Sequence, residues 1–394
     1  MKLILNGGGD GNQVKNAREL LNSLIDHSKK ILYIPLAWVD SNYDSCLEFI
    51  TKELSDVQCA GVDMVRSGNE IDNLSDYACI YIGGGNTYKL LSELKSCGAF
   101  DKIKDYLLNG GIVYGGSAGA IIFGKDLDSC NTDDTNEVGL VDNSGFDLMN
   151  GYSLLCHYTN RDEERTLLSK NYLLELSKKK SIYAIPEEDT IFIDDDNVSF
   201  LGNKPYYIFS EGNVSKYYVT PLIETERLIL KRAPLSDYLK VYEYDFTKLR
   251  NINNEFEFVK LDPKRVEGFE EIFEESYDWI VYLKDGMIPI SNIVADRERE
   301  EINSIELAFN THPDYWRSGY TSEAIIGIMK FLFDNGYDNI ICGYDEGNFK
   351  SKGIGEKLGF VPYEIKENAW VKNGVPITSY ITIMSKERFY EKYR

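Results

Sequence analysis

Tyr114-Gly115-Gly116-Ser117-Ala118-Gly119-Ala120 sets a serine between two glycines, with the spacing Gly115-x-Ser117-x-Gly119. An apolar run, Gly111 to Tyr114, precedes it, and small residues from Ala118 lead on to Phe123. The pattern predicts strand, sharp turn and helix, with Ser117 at the apex: a nucleophile elbow. The glycines let backbone crowd the turn, and the amide of Ala118 faces the same space as an oxyanion donor. A serine attacks an acyl carbon only with a base beside it, normally histidine. The chain has three histidines. His27 falls at the end of a helix and His312 in the second half. His157 follows the short strand Tyr152 to Cys156 and enters a loop, so it is the expected base. A carboxylate should orient it. Asp147, Asp162, Glu163, Glu164, Glu187, Glu188 and Asp189 are all candidates by position.

A second chemistry is written after residue 300. Pro313-Asp314-Tyr315-Trp316-Arg317-Ser318-Gly319-Tyr320-Thr321-Ser322-Glu323-Ala324 follows an expected strand, Ser304 to Phe309, and opens a long helix, Ser322 to Asp334. A tight turn into a helix N-terminus presents free amides to a phosphate or pyrophosphate. Asn348 to Phe360 reads as a further helix with a charged outer face and a glycine cap at Gly359. Glu306, on the strand before the turn, is a weak general-base candidate, and His312 beside Pro313 reads as a turn residue.

The elements that must carry these residues change character along the chain. Strands at Lys2–Leu5, Lys30–Pro35, Gln58–Met64 and Tyr77–Ile82 alternate with helices at Val14–Ile25, Tyr43–Glu53 and Ala99–Asn109. Short apolar strands alternating with helices imply an α/β domain with a parallel sheet and helices on both faces. Loops at the strand C-terminal ends then carry function. Ser117 and the run Gly83-Gly84-Gly85-Asn86-Thr87 both fall there. From Ile182 the strands are short and helices are few. Pro221 closes this region, and Glu224 to Lys231 starts a new strand. The expected border puts one domain at 1–221 and a second, α+β, at 222–394.

Composition narrows the class. With 394 residues and 43% hydrophobic content, two cores are expected. The formal charge of −21 repels nucleic acid and anionic lipid, so neither is expected as a partner. Seven scattered cysteines without a CxxC pair imply reduced thiols, a cytoplasmic chain and no metal site. The opening run Met1–Leu5 is too short for a signal peptide, and no stretch approaches a membrane span.

Gly83-Gly84-Gly85-Asn86-Thr87, Gly115-Gly116-Ser117-Ala118-Gly119-Ala120 and Cys156-His157-Tyr158, in that order, resemble the S51 serine peptidases, peptidase E and cyanophycinase. The resemblance covers about residues 1–210 and implies a class I glutamine amidotransferase-like fold without a cofactor. It implies Ser117 as nucleophile, His157 as base, and Gly84 or Gly85 with Ala118 as oxyanion amides. The acid falls at Glu188 or its neighbour Glu187. Peptidase E prefers an N-terminal aspartate, which an arginine fork suits, and Arg161 and Arg165 are the candidates.

Residues 222–390 resemble GNAT N-acetyltransferases of the RimJ/RimL type, through Glu224-Thr225-Glu226-Arg227-Leu228 and the two runs above. The resemblance implies acetyl-CoA, its pyrophosphate on the amides of Arg317, Ser318, Gly319, Tyr320, Thr321 and Ser322, with Asn348 and Ser351 beside the pantetheine and thiol. Gly319 is kept, while Trp316, Arg317 and Thr321 depart from the family's glutamine-or-arginine and small-residue pattern.

The expectation is a bifunctional enzyme. One half hydrolyses a small peptide or aminoacyl substrate, such as Asp-X, and the other acetylates an amine. Hydrolysis of a peptide releases such an amine. The alternative is an acetyltransferase with a non-catalytic S51-like binding or sensor domain. A second copy of the chain, as a homodimer, is also admitted as a partner.

Overall fold

A computed structural model of the chain describes residues 1–195, 197–243, 275–372 and 374–393. These belong to two compact units, Met1–Val219 and Thr220–Arg394.

The first unit contains strands β1 (Lys2–Asn6), β2 (Ile31–Ile34), β3 (Val62–Met64), β4 (Cys79–Ile82), β5 (Ile112–Gly116), β6 (Ser153–Leu155), β7 (Ile182–Ala184), β8 (Thr190–Asp194), β9 (Asn197–Leu201), β10 (Pro205–Ser210) and β11 (Asn213–Tyr218). Its main sheet runs β3-β2-β4-β5-β1-β8-β9. β1 to β5 are mutually parallel, as the alternation with helices requires. β8 and β9 are antiparallel additions at one edge, which departs from a purely parallel sheet. Side chains alternate between two cores. Ile4, Ile31, Tyr33 and Tyr114 pack with helices α1 (Lys15–Leu24) and α2 (Tyr43–Glu53). Leu3, Leu5, Ile34 and Ile82 pack in the opposite core with α3 (Thr87–Ser96) and α4 (Ala99–Leu108). The second core also takes in a smaller sheet, β11-β10-β7-β6. Strand β3 is shorter than Gln58–Met64. It is the sheet edge, with a partner only on the β2 side.

Among the described residues the second unit forms an eight-stranded sheet ordered β12-β13-β14-β15-β16-β17-β19-β18. The strands are β12 (Ile223–Glu224), β13 (Leu228–Lys231), β14 (Tyr277–Leu283), β15 (Ile288–Arg299), β16 (Ser304–Thr311), β17 (Asn339–Asp345), β18 (Val361–Lys372) and β19 (Val375–Ser385), with helix α7 (Leu235–Tyr242) after β13. Among the described strands of this sheet, only β16 and β17 pair in parallel. That pairing stops at Leu307 and Cys342, although β16 continues to Thr311 and β17 to Asp345, so the strands part. The segment read as one strand, Glu224–Lys231, is instead two short strands around a turn. The cause is Glu323. Its carboxylate accepts from Thr225 Oγ1 at 2.6 Å, Arg227 N at 2.8 Å and Arg227 Nε at 2.6 Å.

Candidate active site

The elbow forms because two backbones approach too closely for side chains. A Cβ on Gly115 would lie 2.2 Å from Gly119 O, and one on Gly119 would lie 2.1 Å from Ile82 O. Between them Ser117 sits at φ 53°, ψ −116°, a conformation that costs about 1–3 kcal/mol. Its amide donates to Asn6 O at 3.1 Å, and a short helix, α5 (Ala118–Ile121), starts immediately after it. Ser117 Oγ is thereby held out at the C-terminal end of β5.

His157 stands just beyond β6, and its amide donates to Gly7 O at 3.1 Å. Its Nε2 is 2.7 Å from Ser117 Oγ, and its Nδ1 is 2.8 Å from Glu187 Oε1. The tautomer follows from the network: Nδ1–H donates to the carboxylate, leaving Nε2 to accept the serine proton. Glu187 follows β7. Its amide donates to Asn160 Oδ1 at 2.8 Å, and its second oxygen accepts from Gln13 Nε2 at 3.4 Å. Glu188 points elsewhere, accepting from Asn160 Nδ2 at 3.0 Å. Among the other carboxylates, Asp162 caps helix α6 (Glu163–Leu176). Asp189 is buried, accepts from the amides of Asn203 and Lys204, and is pushed well above the usual carboxyl range by burial.

Asn6, which carries no recognisable motif in the sequence, touches all three segments. It is 1% exposed. Its carbonyl takes the Ser117 amide, and its Oδ1 takes the amide of Gly8, at 2.8 Å, in the loop beneath His157. Its Nδ2 donates to Thr190 Oγ1 at 3.2 Å and Asp189 O at 3.4 Å, fixing the turn that bears Glu187. The available signal is its place: the last residue of β1, immediately before Gly7-Gly8-Gly9.

Ser117 and His157 open into a cavity of about 660 Å³. Gly84 and Gly85 line it, and a Cβ on Gly84 would come 3.1 Å from Ser117 Cβ. The amides of Gly84, Gly85 and Ala118 make no hydrogen bond among the described residues. Arg161 also lines the cavity, its Nη2 3.9 Å from Asp133 Oδ2 and its buried Nε without a hydrogen-bond partner among the described residues. Arg165 does not. It lies exposed in the first turn of α6, where its amide takes the Asp162 cap.

In the second unit both expected runs border one cavity of about 560 Å³, at the parted ends of β16. Arg317, Gly319, Thr321 and Ser322 line it at the start of α8 (Tyr320–Asp334), as do Asn348 and Ser351 at the start of α9 (Phe349–Leu358). Gly319 caps α8 at φ 81°, and Asn348 Oδ1 accepts from Ser351 N at 3.2 Å. Trp316 Nε1 donates to Thr311 O at 2.8 Å, and the ammonium of Lys350 stands 3.7 Å from the indole centroid. Burial, then Arg317, lowers the Lys350 pKa from its ordinary value. Ser318 and Tyr320 face away. Ser318 O accepts from Arg227 Nη1 at 3.2 Å, and the Arg227 guanidinium lies 4.4 Å from the Tyr320 ring centroid. Glu306 is 4.0 Å from Arg297 and does not line the cavity. A helix N-terminus with Arg317, Lys350 and Lys357 in the walls fits a pyrophosphate-bearing ligand.

The sequence model of peptidase family S51 matches residues 3–201, and that of an acetyltransferase (GNAT) domain matches 227–361. The chain belongs to peptidase family S51 and carries a GNAT acetyltransferase domain C-terminal to the peptidase domain in sequence. It is similar to Peptidase E of Nostoc sp., 27% identical over 212 residues, covering 51% of this chain and 84% of the relative. Peptidase E of Shewanella denitrificans is 26% identical over 217 residues, covering 52% and 90%. The solved GNAT-family acetyltransferase of Bacillus anthracis is 22% identical, covers 42% of this chain and 99% of its own, and gives a TM-score of 0.36. The GNAT domain implies acetyl-CoA and an amine as its substrates. Among the described residues no helix is long and apolar enough to cross a membrane.

Proposed function

We propose that the first domain hydrolyses the bond after an N-terminal acidic residue through an acyl-Ser117 intermediate, and that the second transfers acetyl from acetyl-CoA to an amine. The observation that carries the peptidase reading is the continuous chain Ser117 Oγ–His157 Nε2–His157 Nδ1–Glu187 Oε1, at 2.7 and 2.8 Å. Ser117 Oγ bonds to the carbonyl carbon while Nε2 takes its proton, and Glu187 stabilises the imidazolium. The oxyanion meets the amides of Ala118 and Gly84 or Gly85. The C–N bond breaks as Nε2 returns the proton to the leaving nitrogen. Water, deprotonated by the same nitrogen, then frees Ser117. Arg161 offers its free Nε and outer nitrogens to the substrate side-chain carboxylate, and Asp133 offers the opposite charge to the α-ammonium.

In the second domain, bound acetyl-CoA supplies an activated thioester. The α8 N-terminus, Arg317 and Lys350 hold its pyrophosphate, and Asn348 and Ser351 border the pantetheine. The seven cysteines are free thiols, which suits a reducing cytoplasm. We place the domain border at residue 221, so that 1–221 and 222–394 each keep one activity.

Ser117→Ala should lower hydrolysis of an aspartyl dipeptide by about 10³-fold or more and abolish labelling by a serine-reactive phosphonate. Equal labelling of both proteins would refute the peptidase reading. Arg161→Met should cost about 100-fold in kcat/KM on an aspartyl substrate, and Arg161→Lys should not restore it. Titration of the chain with acetyl-CoA by calorimetry tests the second domain, and absence of binding at millimolar ligand would remove it from the proposal.

A further inference from the structure

In the strand order β2-β4-β5-β1, Trp38 follows β2 on one side of Ser117, while Arg161 follows His157, which is tied to Gly7 after β1 on the other, so the cavity over Ser117 has two unlike ends. One end carries Asp133, Asp134 and Arg161. The other is walled by Trp38, on the loop after β2, and by Phe49, on α2, with Tyr33 and Tyr81 deeper in. Trp38 is 44% exposed and Phe49 50% exposed. Large rings left half in water beside a reactive serine are surface waiting for a ligand. The Gly84–Thr87 segment ties the two ends together. A Cβ on Gly85 would lie 2.8 Å from Ala37 Cβ, next to Trp38. Asp134 Oδ2 accepts from Thr87 N at 2.8 Å. A substrate held by Arg161 and Asp133, with its carbonyl at Ser117, therefore sends its leaving group toward the rings.

The charges say more about that group. Among the described residues lining the cavity, Arg161 is the one cation. If it holds the acyl side, no other lysine or arginine among the described lining residues remains for a free C-terminal carboxylate, and Arg66 nearby is already paired with acids. The polar groups there are Asn42 and Ser45. The acids Asp40 and Asp44 stand on the same stretch of chain, each against Arg66.

Resting on the peptidase reading above, we propose that Trp38 and Phe49 form a leaving-group subsite for an uncharged amine carrying an aromatic or bulky apolar group. The substrate class is an acidic aminoacyl amide rather than a free dipeptide. The C–N bond to that amine breaks as Ser117 Oγ bonds the carbonyl carbon, and the His157 proton leaves on the neutral amine. Water then hydrolyses the ester.

The test compares aspartyl-phenylalaninamide, aspartyl-glycinamide and free aspartyl-phenylalanine on the full chain. Expected kcat/KM is about tenfold or more higher for the phenylalaninamide than for either other compound. Trp38→Ala with Phe49→Ala should bring the ratio of the two amides toward one, and Trp38→Leu should reduce it by a smaller factor. Melting curves of the variants show whether they remain folded. Equal rates on the two amides overturn the subsite, and a faster free dipeptide overturns the uncharged leaving group. Phosphonate labelling of Ser117 without hydrolysis of the phenylalaninamide overturns the subsite while the peptidase reading stands. Neither labelling nor hydrolysis overturns both.

Discussion

Gly8 lies against the imidazole of His157 so closely that a Cβ would stand 2.3 Å from Cε1 and 2.6 Å from Nε2. Its φ of 102° is also one that residues with a side chain rarely adopt. The contact fixes the ring from one side while Glu187 fixes it through Nδ1. Gly8→Ala should push the ring off Ser117 and lower kcat about 100-fold, since a displacement near 1 Å costs that much. Steady-state kinetics beside a melting curve checks it. An active Gly8→Ala protein would mean that the ring needs no such support.

The two adjacent glutamates should behave differently. Glu187→Gln keeps the size but loses the charge facing Nδ1, so kcat should fall by about 10²- to 10⁴-fold. Glu188→Gln keeps a contact to Asn160 and should change kcat by less than about threefold. Kinetics of both variants on one aspartyl substrate separates the roles.

Arg317 sits at φ 61°, a conformation that costs a residue with a side chain about 1–2 kcal/mol. Arg317→Gly should therefore leave stability unchanged or raise it by about 1 kcal/mol. The same change removes a cation from the cavity wall and should weaken acetyl-CoA binding about tenfold. Calorimetry should show weaker binding while the melting temperature holds or rises. Loss of stability with unchanged affinity would count against the assigned contact.

Asp278 supplies a pH dependence. It is buried on β14, where Tyr238 OH and Asn292 Nδ2 both donate to its Oδ1 at 2.8 and 2.7 Å. Burial raises its carboxyl to about 6, against the pull of those donors and Arg232, while Asp296 pushes further upward. The folded state thus keeps a proton that the unfolded chain releases at an ordinary carboxyl pKa. The stability this group contributes is full below that ordinary value and lost as pH rises through about 6, amounting to about 2–3 kcal/mol. Asp278→Asn retains an oxygen for both donors and should flatten the dependence. Hydrogen exchange of peptides spanning Tyr277–Leu283, at pH 5 and 7, reads it locally.

Legibility in the sequence followed the range of the interactions. The elbow was plain because Gly115, Ser117 and Gly119 are local to one apolar strand and one helix start. His157 was reachable because only three histidines compete. The choice between Glu187 and Glu188 was not, because neighbours on a turn face opposite ways. Asn160, 27 residues earlier in the chain, takes the Glu187 amide and binds Glu188. The role of Asn6 was hidden for a related reason. It depends on β8 pairing antiparallel beside β1, and strand–helix alternation predicts only parallel neighbours. Strand β10 is hard to read from the sequence, because Tyr206, Tyr207 and Phe209 blur its alternation. The β12–β13 turn depends on Glu323, almost a hundred residues away.

The acid-bearing turn sits between β7 and β8, and β8 is the strand laid antiparallel beside β1. During synthesis, then, a ribosome-bound chain completes Ser117 and His157 well before Glu187 exists. Until β8 docks, Asn6 lacks the partners that hold this turn, and the imidazole has no carboxylate behind it. Chains of this kind fold as whole domains as they emerge. A chain cut before residue 187 would lack both the carboxylate behind the imidazole and the strand that seats its turn, and is expected to be inert.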